Sequence, residues 1–402
     1  MSRILPRLRY NLDIMPSPVP DRPGLMIRDS YGYSDKTLII PPEIVPLLGF
    51  FDGETEENEM SAQLVRETGD LAITRVKDQL WSALSEAAFL EDAAYAEARE
   101  AKHKAFAESP TREAAHAGSA YPETPEELRS VFNEYMAGQG AKTFSQVKAI
   151  AAPHVSPFGG YDSYRAAYSA IRPNEDADRT FILLGTSHYG EPGKFGLTRK
   201  NYVSPYGATE TQVQLVEELA AKAPGAVSME DYCHSFEHSL EFQAVFLQHL
   251  LGPRVRVLPI LVGSFALAGE RPEASEDIAR FFGALGEIGA RLGNRACWVM
   301  GVDMAHMGQR YGDEFAARSN EGEMLEVGAR DKARMERIAA HDAEGYWNLV
   351  VERGDDDLKW CGSAPFYTFL KTTAGMRGNV EHYEQWNIDE MSIVSFAGMT
   401  FV

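Results

Sequence analysis

Four short apolar runs separated by helical periodicity leave this chain few folds to adopt. The segments "VKAIAAPH" (147–154), "TFILLGTSH" (180–188), "RVRVLPILVG" (254–263) and "ACWVMGVDMAH" (296–306) are of strand length and apolar almost throughout. That is the pattern of strands covered on both faces. Helical stretches at Tyr161–Ile171, Thr211–Ala223, Glu237–Leu251 and Ala274–Leu292 fall between them, and a fifth run, "MSIVSFAGMTFV" (391–402), joins the set. Such alternation predicts an α/β domain with a central, largely parallel sheet and flanking helices.

The ends of these runs carry the chemistry. His154 ends the first, His188 the second, and Asp303 with His306 the fourth. In open α/β sheets, ligands bind outside the carboxyl ends of the strands. Any one histidine alone is better explained as a core ring bonded to backbone. Three at equivalent positions point to a metal, because neutral imidazoles coordinate a divalent ion at little charge cost. An anionic partner is still needed. Cys361 is the candidate: "KWCGSAPFYTFLKTTAG" (359–375) sets it ahead of a helix predicted over Ala364–Thr373 and closed by Gly375, and helix N-terminal amides favour thiolate. Its alternative role is that of a small buried hydrophobe.

Two rival sites are weaker. His234 and His238 stand four apart, with Glu237 and Glu241 nearby, but HExxH is absent and a helix starting near Phe236 leaves His234 in the preceding loop. Glu237 and His238 therefore read as groups that contact substrate or support the ligands. Ser187 raises a serine hydrolase, yet there is no GxSxG elbow.

Residues 1–92 read as a separate small α+β unit. "GLMIRDS" and "KTLIIPP" flank the turn-rich "YGYSD" as a hairpin, and helices are predicted at Glu43–Phe51, Glu56–Thr68 and Ile73–Leu90, the last with Ile73, Val76, Leu80 and Leu84 as one apolar stripe. A hairpin with three helices suggests a winged-helix arrangement. The stretch is similar to the PqqD-like peptide-recognition fold, on Asp52, Gly53, Thr55 and the helix from Glu56. That resemblance implies a peptide or protein partner; a structural cap is the other reading. Residues 93–114 form a predicted helical linker, Ala-rich and charged, with His103 exposed. Thr124-Pro125-Glu126-Glu127 has the order of a capping box opening a helix through Met136. Residues 115–402 make up the metal-binding domain.

Charge and cysteine content narrow the classes. Lys+Arg 39 against Asp+Glu 59 gives a net charge of −20, which disfavours a nucleic-acid partner. Three scattered cysteines make no disulfide framework and no CxxC pair. No apolar run approaches a membrane span. A cytoplasmic protein is expected.

Seven ordered motifs carry a wider resemblance: "HAGSAYP" (116–122), "AAPHVSPFGG" (151–160), "LLGTSHYG" (183–190), "EHSLEFQ" (237–243), "LPILVG" (258–263), "GVDMAHMGQRYG" (301–312) and "WCGSAP" (360–365). Their order resembles that of the Memo family, which includes the AmmeMemoRadiSam system protein B and is similar to class III extradiol ring-cleaving dioxygenases. The resemblance spans roughly residues 115–402. It implies His154, His188 and Cys361 as metal ligands, with Asp303 and His306 of the D-x-x-H-x-G element beside the metal and His306 as acid/base. Ser187, Tyr189, Glu237 and His238 would contact substrate or support the ligands. Departures fall at "PHVSPFGG", at Tyr189 where a second histidine is common, and at Ala120 in place of a tryptophan; they alter the pocket and spare the ligand set.

The expected cofactor is one divalent transition metal. Thiolate keeps the ligand charge of a carboxylate while favouring iron, copper or zinc over magnesium or calcium; Fe(II) is favoured by the resemblance. The leading function is a non-haem iron (or copper) oxidoreductase of dioxygenase type acting on a small or peptide-borne substrate. Two alternatives stand beside it: a metal-containing adaptor without turnover, and a zinc-dependent hydrolase.

Overall fold

The computed structural model describes residues 3–69, 73–140, 146–265 and 271–402. Its contacts divide the chain into two units, Met1–Glu108 and Ser109–Val402.

In the first unit, β1 (Asp13–Pro16), β2 (Leu25–Arg28) and β3 (Thr37–Ile40) form an antiparallel sheet in that order. The predicted hairpin is β2–β3. The extra strand β1 has no strand periodicity of its own and becomes one by pairing Ile14 with Ile27. Residues Pro42–Phe50 wind as a 3-10 helix instead of the predicted α-helix, since Pro46 within it lacks the N–H an α-helical ladder needs. Helix α1 (Glu57–Thr68) stops at Gly69 in the left-handed region. Helix α2 (Ile73–Glu86) ends four residues earlier than the apolar stripe suggests, because Ala88 turns at φ 55° and sends Phe89 and Leu90 into the core. Leu80 and Leu84 are buried as the stripe requires; the side chain of Ile73 lies outside the described residues. Helix α3 (Ala93–Glu108) groups with this unit. His103 on α3 is half-buried rather than exposed: its Nε2 lies 3.0 Å from the Tyr33 hydroxyl, within one unit's packing.

The second unit is the expected α/β domain. Its main strands are β4 (Ala149–Ala152), β5 (Thr180–Thr186), β6 (Phe195–Leu197), β7 (Val227–Met229), β8 (Arg256–Val262), β9 (Ala296–Gly301), β10 (His306–Gly308), β11 (Gly378–Asn387) and β12 (Ser392–Phe401). The principal helices are α4 (Pro125–Met136), α5 (Pro157–Tyr168), α6 (Val213–Lys222), α7 (His238–Leu251), α8 (Glu276–Leu292), α9 (Met324–Ala339), α10 (Ala343–Val350) and α11 (Ser363–Thr372). The sheet runs β7-β6-β8-β5-β9-β4-β12-β10, with β11 also against β12. The four central strands β8, β5, β9 and β4 are mutually parallel, so their carboxyl ends share one edge.

Alternation explains why these runs are apolar throughout. Ile182, Leu184, Ile260, Trp298 and Met300 face a core shared with α8 and α11, while Phe181, Leu183, Leu261, Cys297 and Val299 face one shared with α5 and α7. Each fully buried aliphatic side chain there contributes roughly 1.5–3 kcal/mol. Among the described residues, no helix is long and apolar enough to cross a membrane.

Two boundaries differ most from the sequence reading. Helix α5 begins at Pro157 instead of Tyr161, with Pro157 in the first turn. Strand β9 ends at Gly301, not at His306. Beyond it the chain changes neighbours: Val302 N bonds Ala152 O, Met304 N bonds Ser395 O, and His306 opens β10, antiparallel to β12. Because β4 is only four residues long, this segment takes over pairing with β12 above it.

Candidate metal centre

His154 and His188 each lie two residues beyond a strand, β4 and β5, which are separated only by β9. The ring of His154 is buried and its Nδ1 lies 2.9 Å from Gly301 O. His188 places Nδ1 2.8 Å from Glu237 Oε1, and its backbone N–H donates to Glu237 Oε2 at 2.9 Å. A carbonyl or carboxylate beside Nδ1 keeps a proton on that nitrogen, so Nε2 is the atom left to bind an ion; with no ion there, Glu237 and Cys361 raise the His188 pKa despite burial and favour its charged form. Cys361 Sγ stands 3.2 Å from His154 Nε2. One donor atom each from His154, His188 and Cys361 all lie within 4.8 Å of one another, a grouping that can hold a metal ion.

The sulfur is prepared for that role. Burial pushes the Cys361 thiol up, but His154 and His188 beside it outweigh burial and bring it down to about 7. Cys297, buried without such neighbours, is pushed up to about 12. Cys361 precedes α11, and its carbonyl accepts from Thr186 Oγ1 at 2.9 Å. The next residue must be glycine: a Cβ at Gly362 would meet Asp303 O and Val302 Cβ at 2.7 Å. Asp331, fully buried, accepts from Trp360 Nε1 (2.7 Å) and Ser395 Oγ (2.6 Å), and Ser395 Oγ in turn accepts from Ala305 N. It thereby ties the Cys361 loop to the segment before His306.

Asp303 lies under His154. Its Oδ1 accepts the His154 and Val155 amides at 2.8 and 3.3 Å, and Oδ2 is 3.4 Å from His154 Nε2. Burial raises its pKa to about 6 against the opposing pull of His306 and those amides. His306 Nδ1 is 2.8 Å from Met304 O and 3.1 Å from Lys359 O, and Tyr311 stands edge-on to its ring at 4.9 Å. Burial lowers the His306 pKa, more than Asp303 raises it.

Glu237 is the N-cap of α7. Despite burial, His188 above all keeps its carboxylate at about 2. His238 follows: its ring stacks on His188 at 5.0 Å and stands edge-on to His154 at 5.0 Å, with Nδ1 3.3 Å from Glu237 Oε1. His188, Glu237 and His238 form a second grouping within metal-binding distance. Ser187 is turned to its own loop, where Oγ accepts from Gly190 N at 3.2 Å. Tyr189 packs on Phe236, its ring 6.1 Å from that of His188. His234 is buried apart from these, bonded to Tyr202 OH (2.6 Å) and Gly196 O (3.0 Å) in a 3-10 turn before α7.

Sequence reasoning missed one cluster. Glu241, one turn into α7 and buried, accepts from Arg112 Nη1, from Tyr121 OH, from the backbone N–H groups of Ala115 (3.2 Å) and His116 (2.9 Å), and pairs with His116 Nδ1 at 3.0 Å. Against burial, Arg112 first and then His116 hold its carboxyl well below the usual range. The available signals were the "HAGSAYP" stretch and the four-residue spacing of Glu237 and Glu241.

The donor set fits a divalent transition ion: two imidazoles of fixed tautomer and one thiol that ionises near neutrality. Comparison with known proteins agrees in extent with this unit. The family model described as "Memo-like protein" matches residues 112–400. A "MEMO1 family protein" of Thermococcus kodakarensis is 31% identical over 295 residues, covering 71% of this chain and 97% of that protein. One of Aquifex aeolicus is 26% identical over 380 residues, 94% of this chain and 95% of its own, so its match reaches into the N-terminal unit. With a family model covering most of its length, the chain belongs to the Memo family.

Proposed function

We propose that the chain is a metal-dependent oxidoreductase, with Fe(II) bound by His154, His188 and Cys361, acting on a small or peptide-borne substrate. The observation that carries this reading is the convergence of those three donors, each oriented by a neighbour, beside two groups able to move protons. Fe(II) held there would supply Lewis acidity and a redox couple through which electrons pass from substrate to dioxygen. The chain supplies the rest. His306, with Nδ1 against two carbonyl oxygens, keeps Nε2 free to take a proton from substrate. Asp303 beside it is buried and titrates near 6, so it stabilises a positive His306 only when ionised. The likeness to extradiol dioxygenases supports oxygen chemistry over hydrolysis by the same three residues around zinc.

Metal analysis of protein purified without oxygen tests this directly. Iron near one equivalent is expected; zinc alone would overturn the redox reading in favour of hydrolysis. The N-terminal unit, PqqD-like in sequence, would bring a peptide-borne substrate, and three unpaired cysteines suit a reducing cytoplasm.

A further inference from the structure

The first turn of α7 repeats one device. Glu237 holds Nδ1 of His188, and Glu241, one helical turn on, holds Nδ1 of His116. His188 is already engaged with Cys361 and His154. His116 is not: a quarter of its side chain reaches solvent, its ring stands 5.7 Å from His238 and 5.6 Å from Phe242, and Nε2 has no partner among the described residues. The carboxylate that orients it is buried and also bonded to Arg112 and Tyr121. So strong an anion beside Nδ1 keeps the ring proton on that nitrogen and turns Nε2 into a hydrogen-bond acceptor. His238, between His116 and the two ligand histidines, has Nδ1 3.3 Å from Glu237 Oε1 and a side chain that is 30% exposed.

We propose that His116, with His238, forms a proton-accepting wall of the substrate site, which selects ligands carrying an unionised hydroxyl beyond the atom that binds the metal. This rests on the metal-centre reading above. Ring nitrogens that present lone pairs at that position reward an O–H donor. An ether of the same shape leaves the imidazole lone pairs facing an oxygen with no hydrogen to give.

The test uses full-length protein loaded with Co(II) and two thiols anchored on the cobalt, 3-mercaptopropan-1-ol and its methyl ether, followed by the sulfur-to-cobalt absorption band. Wild type should bind the alcohol about tenfold more tightly than the ether, the worth of one well-made hydrogen bond. His116→Asn, whose amide can still donate to Glu241 but has nothing at the Nε2 position, should erase the preference while cobalt affinity stays the same. His116→Gln, which can place an accepting oxygen there, should keep part of it. Equal binding of the two thiols by wild type, or a preference undiminished in His116→Asn, overturns the wall and leaves the metal centre standing. Failure of wild type to take up cobalt overturns the metal-centre reading itself.

Discussion

The two units each bury an arginine–carboxylate pair, and they use it differently. Arg9 grips Asp29 through two 3.0 Å bonds, donates to Ala88 O at 2.9 Å, and lies over Tyr95 at 4.3 Å. Asp29 gives its remaining capacity to the amides of Tyr31 and Ser34. Every partner is another part of the same small unit, and the pair is a staple. Arg112 is built alike, bonding Glu241 and the carbonyls of His234 and Glu237 and lying over Tyr202 at 4.9 Å. Its carboxylate, however, also holds an imidazole, a quarter of whose side chain meets solvent. A buried ion pair thus serves equally to close a core or to aim a side chain; what distinguishes the two is whether the last hydrogen bond goes to a group with a free end.

Substitutions can break that comparison. Arg9→Ala and Arg112→Ala should each destabilise their own unit by about 3–5 kcal/mol, because each strands a buried carboxylate; denaturant unfolding followed separately for the two transitions checks this. Equal metal affinity in folded Arg9→Ala is expected. Cys361→Ala should weaken metal binding at least about 100-fold by removing the anionic donor, read by metal titration of the folded variant, with no effect on the N-terminal unit. Glu237→Gln, which leaves the three donors in place but loosens His188, should weaken it about 10-fold. Unchanged affinity would mean that Glu237, like Asp29, only closes a core.

The smallest effect is in pH. The folded thiol of Cys361 ionises at about 7, below its ordinary value of 9.0. Between these values the unfolded chain binds more protons at this group, so the thiol's contribution in the metal-free protein grows as pH rises from 7 to 9 and is lost as pH falls through 7, against the raised His188, whose contribution falls as pH rises. Asp303 works in the opposite sense. Raised to about 6 from 3.8, it favours the folded state below 3.8 and loses that contribution as pH rises through 6. Denaturation at pH 6 to 9 of wild type and Cys361→Ser isolates the first slope, which the variant should lack.

Much of this was legible without coordinates where the signal was local. Five apolar runs appear as β4, β5, β8, β9 and β12, and Thr124 caps α4 as its motif requires. Where a neighbour intervened, local reading failed. Asp13–Pro16 is a strand only because Leu25–Arg28 pairs with it, and β9 stops at Gly301 because the sheet beside it ends. His103 looked exposed on a charged helix, but Tyr33 reaches it.

From sequence alone came the strand-and-helix alternation and the histidines at strand ends, because periodicity and chain order are properties of adjacent residues. Only tertiary structure decided which nitrogen each imidazole offers and which carboxylate stands behind it. Glu241 and His116 are 125 positions apart, and a 3 Å hydrogen bond across that separation leaves no trace in local pattern. It exists because one turn of α7 and the segment before α4 are packed against the same core.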